Sequence, residues 1–304
     1  METVSHIDAL NRRFGVAGIA QIVAGKGGFP TVHITSRLAR ADVSLYGAQV
    51  LSWRPEGHEE VIFLSGKSRF EQGQAIRGGI PVCFPWFRDK ADNPKAPKHG
   101  FVRTREWRLD SLRADEDGSV TLVCVTSSDD STRALWPHDF LLVYRIRIAS
   151  TLRLELSVMN RGANPLRFEE ALHTYFHIGD IHQARVRGLD AVTYLDNTSA
   201  NKSRRQDGSL AMTAPNDNAY MDTEVPVDIL DPVLHRRLRT EKLHSCTTVV
   251  WNPWESGAAA ISDLGNDEWQ HMLCVEASNI LSAAVTLAPG EEHMLRATIS
   301  VHPE

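Results

Sequence analysis

Between residues 140 and 160 apolar and polar side chains alternate almost without a break. Leu142, Tyr144, Ile146 and Ile148 fall on one side of an extended chain, and Val143, Arg145 and Arg147 fall on the other. Leu152, Leu154, Leu156 and Val158 then alternate with Arg153, Glu155 and Ser157. A period of two means strands, because successive side chains leave a pleated backbone on opposite faces. Only Ala149, Ser150 and Thr151 join the two runs, which predicts an antiparallel hairpin with one buried face. The pattern returns at the C-terminus, where Leu295, Ala297, Ile299 and Val301 alternate with Arg296, Thr298 and Ser300. It is also present from Thr31 through Ala41, Val43 and Leu45. Gly47 stands where a bend or bulge belongs. Shorter strands are expected at 61–64, 166–168, 192–195 and 247–251. Helical periodicity is scarce, with 231–242 as the best candidate, and 196–218 reads as an exposed loop. No repeat or composition break divides the chain. The expected fold class is therefore all-β: a sandwich or barrel of large, mostly antiparallel sheets with few short helices. Residues 1–30 are expected to form a polar N-terminal lead-in packed on a single domain, residues 31–304.

Composition narrows this picture. A chain of 304 residues can bury roughly three quarters of its unfolded surface. A net charge of −5 argues against a general nucleic-acid binder, though it leaves room for a local cationic pocket. No apolar run is long enough for a membrane helix, so no membrane partner is expected. Residues 1–13 carry His6, Asp8, Arg12 and Arg13 and lack the apolar core of a signal peptide. Cys83, Cys124, Cys246 and Cys274 are far apart and form no CxxC pair, which suits free thiols in a reducing cytosol. The expectation is a cytoplasmic monomer.

One stretch breaks the strand pattern. Residues 77–87 read Arg77-Gly78-Gly79-Ile80-Pro81-Val82-Cys83-Phe84-Pro85-Trp86-Phe87. The two prolines argue against a central, fully paired strand. Two readings stand level: a kinked edge with a surface arginine, or a pocket wall placing apolar surface beside a fixed charge, suited to a small anionic molecule.

Candidate chemistry lies elsewhere. Strand alternation across Ala171-Leu172-His173-Thr174-Tyr175-Phe176-His177 puts His173, Tyr175 and His177 on one face. A helical reading would make His173 and His177 metal ligands, but no HExxH glutamate lies between them and no third ligand is evident. The ordinary alternative for His173 is a hydrogen-bonded core histidine. Glu276 sits in the apolar run Met272-Leu273-Cys274-Val275-Glu276-Ala277, where burial should raise its pKa towards the range of a general base. The alternative is a strand-end salt bridge. His99 and Arg103, with Arg77, make either a cationic pocket mouth or a solvated basic loop. Trp251-Asn252-Pro253-Trp254 is either a site wall or a turn capping the core. There is no nucleophile elbow, phosphate loop or dinucleotide fingerprint. Acid/base candidates remain, without an activated nucleophile.

Five segments in this order (77–87, 99–103, 171–176, 250–254 and 274–279) resemble the hexose-6-phosphate mutarotases, or glucose-6-phosphate 1-epimerases, of the aldose 1-epimerase superfamily. The resemblance spans about residues 41–301. It implies a galactose-mutarotase-like β-supersandwich with its site in a cleft on the concave face of one sheet. It implies His173 as general acid and Glu276 as general base. Arg77, His99 and Arg103 would orient the sugar and its phosphate. The implied partner is a small sugar phosphate, with no metal or organic cofactor. Anomer exchange protonates the ring oxygen while the C1 hydroxyl loses its proton; the ring opens, C1 presents its other face, and the ring closes. On this scheme His173 is protonated and Glu276 ionised at neutral pH. The chain departs from the family in two places. Many phosphosugar members carry an acidic residue followed by arginine and an aromatic after a Glu-Val pair. Here Glu224-Val225 is followed by Pro226-Val227-Asp228, so the acidic contact is either Asp228, shifted by two residues, or missing. Arg88 stands where a small residue is usual. The competing expectations are a non-catalytic carbohydrate-binding protein on the same fold and a mutarotase for unphosphorylated aldose.

Overall fold

The alternating run at 140–160 folds into the expected hairpin. Phe140–Ile148 and Thr151–Asn160 pair antiparallel with Ile148 opposite Leu152. The eight apolar residues of its inner face are fully buried, each worth about 1.5–3 kcal/mol relative to exposure. In the computed structural model, which describes residues 2–304, this hairpin is part of a nine-stranded antiparallel sheet. The C-terminal strand Glu292–Pro303 lies at its centre, between Thr151–Asn160 and Arg236–Leu243.

A second sheet of eight strands faces a different chemistry. From one edge its order is Lys202–Arg205, Thr193–Asp196, Asn216–Tyr220, Thr247–Asn252, Met272–Asn279, Glu170–Leu172 and Val82–Cys83. Tyr175–His177 continues the line of Glu170–Leu172 against Met272–Asn279. Met272–Asn279 is buried along its whole length, which is why its sequence does not alternate: both faces are covered. A four-stranded sheet of Ala20–Ala24, Pro30–Thr35, Ala39–Ser44 and Gln49–Pro55, and a two-stranded one, complete the architecture. The fold is the all-β arrangement of large antiparallel sheets that the alternation predicted.

Two expectations about local structure require correction, and one is extended. Residues 231–242 are not helical: Val227–Asp231 and Arg236–Leu243 form a hairpin. Its inward positions include a buried ion pair, Asp231 with Arg236 at 3.4 Å, whose polarity hides the strand period. The region 196–218 is not a loop. It holds the exposed edge strand Lys202–Arg205 and the start of Asn216–Tyr220. The described part of the expected 1–30 lead-in does pack on the domain, and it also joins the first sheet. Glu2–Phe14 is a helix with Ile7 buried and Leu10 and Phe14 packed on the core, and Ala20–Ala24 pairs with Pro30–Thr35 across the proposed boundary.

Residues 77–87 form the kinked edge, but Arg77 is not a surface arginine: its side chain is 27% exposed and pairs with Asp263. Val82–Cys83 is the edge of the eight-stranded sheet, so the prolines leave no ladder partner unmet. Gly78 and Gly79 have φ of 104° and 69°, and a β-carbon would come within 2.6 Å of the Phe63 carbonyl oxygen and 2.5 Å of that of Val50, respectively. Only glycine lets the chain pass there.

Candidate functional site

The site begins with strand register. Leu172 pairs with Ala277 and Tyr175 with Cys274. The register is unbroken between them, so His173 lies directly opposite Glu276. Directly opposed side chains on one face of an antiparallel pair sit side by side. His173 Nδ1 is 3.5 Å from Glu276 Oε1, with both side chains buried. His173 Nδ1 and Glu276 Oε2 have no hydrogen-bond partner. Buried polar atoms are rarely left so, and those that are call for a functional explanation.

These two residues lie in a cleft of about 270 Å³ with Tyr175, Trp251, Phe87 and His99 among its walls. The His173 ring stacks on Tyr175 with centroids 4.8 Å apart and meets His99 and Trp251 edge-on. Trp251 therefore belongs to a site wall. Arg77 also lines the cleft, donating from Nε to Asp263 Oδ1 and from Nη1 to Tyr175 Oη, each at 3.1 Å. His99 adopts φ 60°, and its Nδ1 accepts from the Arg88 backbone N–H at 3.3 Å. That contact fixes its tautomer, with the proton on Nε2.

Electrostatics correct one expectation. Burial, followed by the charges of Arg103 and Arg77, pushes the pKa of His173 well below its ordinary value. Burial, followed by Asp217, pushes that of Glu276 well above, against the opposing pull of Arg88 and Arg103. Burial thus works against the charged imidazolium–carboxylate pair and towards its neutral tautomer, an imidazole beside a carboxyl. Either form holds one proton between the two residues. The charged form is disfavoured because both ions would be desolvated at a distance too long for a good hydrogen bond.

The remaining sequence candidates divide. Arg103 does not line the cleft: its Nη2 donates to the Lys98 carbonyl at 2.8 Å and its Nε is buried without a partner. It acts through charge from behind the wall, depressing His173 and His99. Asp228 is not at the site at all. It lies in Val227–Asp231 of the nine-stranded sheet, 3.7 and 3.8 Å from Arg237 and Arg239. His177 also lies outside the cleft lining.

Arg88, noted in the sequence only as a departure from the family pattern, lines the cleft, and so do Asp217 and Asn197, which sequence reasoning missed. Arg88 Nη2 donates to Asp217 Oδ1 and Asn197 Nδ2 to Asp217 Oδ2, both at 2.6 Å. Nothing beside Asp217 or Asn197 in the sequence marks them. Cys274 was also missed. His173, Cys274 and Glu276 place one donor atom each within 4.8 Å of one another, so His173 does have neighbours that could ligate a metal. A closed structural zinc site needs four such donors, and this group offers three.

The sequence profile described as aldose 1-epimerase matches residues 30–300. The chain belongs to the aldose 1-epimerase family. It is 33% identical over 296 residues to a protein of Cenchrus ciliaris that carries the provisional name glucose-6-phosphate 1-epimerase, covering 93% of this chain and 88% of that one. A Salmonella typhimurium protein with the same provisional name is 35% identical over 238 residues, 78% of this chain and 79% of its own. A crystal structure from Salmonella typhimurium, described provisionally as a mutarotase, superposes with a TM-score of 0.89 at 30% identity, covering 96% of each chain. A galactose mutarotase related enzyme from Lactobacillus acidophilus has a TM-score of 0.71 at 13% identity over 90% of this chain and 97% of its own, which shows the shared fold alone. This family member is an isomerase.

Proposed function

We propose that this epimerase interconverts the α and β anomers of an aldohexose 6-phosphate, glucose 6-phosphate being the first candidate. His173 serves as acid to the ring oxygen and Glu276 as base to the C1 hydroxyl. The observation that carries this reading is the opposed pair itself, with unpartnered atoms of both residues inside one cleft. A protein that only bound sugar would have no need of it.

The proton inventory supports the same mechanism. Reaction starts from the less favoured charged tautomer, reached when the shared proton moves from Glu276 to His173. When the ring opens, the imidazolium has given its proton to the ring oxygen and the carboxylate has taken one from the C1 hydroxyl. The site is then a neutral imidazole beside a neutral carboxyl, which is the form that burial favours. Burial therefore favours the open-chain stage over the closed sugar, and the transition state between them shares that gain in proportion to how far both protons have moved. After C1 turns its other face, the two transfers run backwards and regenerate the starting site. The aromatic walls suit the apolar faces of a pyranose, and Arg77, Arg88 and Lys98 at the cleft supply positive charge for the phosphate. The four free cysteines fit a cytoplasmic setting.

The test is anomer exchange followed by NMR with glucose 6-phosphate and with glucose. Acceleration of the phosphorylated sugar above the other is expected. No acceleration of any aldose or aldose phosphate would leave a binding protein, and equal acceleration of both sugars would remove the phosphate from the assignment.

A further inference from the structure

Arg88 is the residue at which the chain departs from the expected motif, and the structure gives it a specific position. It leaves the edge strand Val82–Cys83, whereas Asp217 belongs to Asn216–Tyr220. Three strands separate these two in the sheet, among them Met272–Asn279 with Glu276. Neighbouring strands lie about 4.8 Å apart, so the two ends are roughly 19 Å apart along the sheet. The ion pair between them at 2.6 Å therefore reaches across the concave face that carries the acid/base pair. Arg88 has φ 61°, a left-handed conformation uncommon for a residue with a long side chain, and this turns it back over the cleft. Its guanidinium also lies over the Phe87 ring, 5.7 Å from the centroid. Asp217 is held independently by Asn197, so the carboxylate keeps its place if Arg88 lets go.

We infer that the Arg88–Asp217 pair is an exchangeable strap that selects phosphorylated sugars. This rests on the mutarotase reading. A phosphate dianion outcompetes a single carboxylate for the guanidinium and frees one oxygen of Asp217 to accept from a sugar hydroxyl. A neutral sugar brings no anion to replace Asp217, so opening the strap leaves a partly buried arginine unpaired. Arg77 is less free to play this part, because its Nε and Nη1 are already held by Asp263 and Tyr175. Selectivity on this view comes from what free glucose fails to replace as much as from what phosphate gains.

The test compares kcat/KM for glucose 6-phosphate and glucose in the wild type, Arg88→Ala, Arg88→Lys and Asp217→Asn. Binding of inorganic phosphate is measured by calorimetry on the same four proteins. Arg88→Ala should lower the phosphorylated-to-free ratio by about tenfold to a hundredfold, the size of one or two charge-assisted hydrogen bonds, and Arg88→Lys should lower it less. Phosphate binding should weaken in Arg88→Ala and strengthen in Asp217→Asn, where the guanidinium loses its competitor. Equal losses on both sugars, or weaker phosphate binding in Asp217→Asn, would overturn the strap. If the wild type accelerates neither sugar, the mutarotase reading fails, and the opposite-signed phosphate results still decide the strap.

Discussion

Replacing Glu276 by Gln should separate catalysis from stability, moving them in opposite directions. The side chain is 1% exposed, its Oε2 has no partner, and its nearest cationic candidate is 3.5 Å away. Glutamine keeps the volume and removes the group that ionises. Loss of a positioned base should slow anomer exchange about 10²–10⁴-fold, or roughly 3–5 kcal/mol in barrier height. Stability should rise instead. The folded-state pKa of Glu276 is raised above its unfolded value, so below about pH 4.3 the wild-type carboxyl is neutral in both states and carries no penalty. Above that pH the unfolded chain ionises while the folded site resists, and wild-type stability falls by up to about 1.4 kcal/mol per pH unit. The advantage of Glu276→Gln should therefore be near zero at pH 4 and grow with pH to at most about 4 kcal/mol at pH 7, the linkage slope taken over that interval. Urea titrations at the two pH values, read beside NMR exchange rates, measure both effects. A variant that loses stability at pH 7 would show that Glu276 is a structural anchor. One that keeps near-normal exchange would show that it is not the base.

Other outcomes follow from the same geometry. The pH profile of exchange should be bell-shaped with its acid limb below pH 6.5, because the pair takes up a second proton only at the depressed pKa of His173, and its alkaline limb should mark loss of the single shared proton; an acid limb above pH 6.5 contradicts the burial argument. Gly100→Ala should destabilise by at least about 2 kcal/mol in a thermal melt and raise KM, since at φ 76° a β-carbon would lie 1.7 Å from the Phe84 carbonyl oxygen on the turn that carries His99. Asp228→Asn should leave kcat/KM for glucose 6-phosphate within about twofold, because its partners are Arg237 and Arg239 on the other large sheet; a larger loss would restore it to the site. Arg236→Met should leave exchange kinetics intact while lowering stability by about 3–5 kcal/mol, as it strands the fully buried Asp231.

The sequence disclosed the fold where one face of a strand is wet and the other dry. Residues 140–160 alternate because the hairpin has one solvated face, and its register could be read directly. The same logic failed at both extremes of exposure. Lys202–Arg205 is exposed on both faces, so no apolar period marks it, and with it went the strand that carries Asp217. Arg236–Leu243 turns charged residues inwards, where Arg236 reaches Asp231 and the carbonyls of Glu59, Glu60 and His177, and polar contacts satisfied at that range leave no local trace. The helix at Glu2–Phe14 did leave one, in Ile7, Leu10 and Phe14 at helical spacing, beneath a polar composition that drew attention away.

The site follows the same division. His173 and Glu276 were visible because each is an ionisable residue in an apolar run, a conflict that a strand resolves only by burying it for a purpose. What the sequence could not show was their pairing, since register between residues 103 positions apart is fixed by neighbours such as Leu172 with Ala277 and Tyr175 with Cys274. Asp217 was invisible, and Arg88 was legible only as a departure from the family motif, for a further reason: nothing beside either residue in the chain says what it meets. They acquire meaning only when five strands are laid side by side and a left-handed turn brings the arginine back over the sheet. Chemistry that depends on a residue being out of place locally can be found in one dimension, whereas selectivity that depends on two ordinary residues meeting across a cleft cannot.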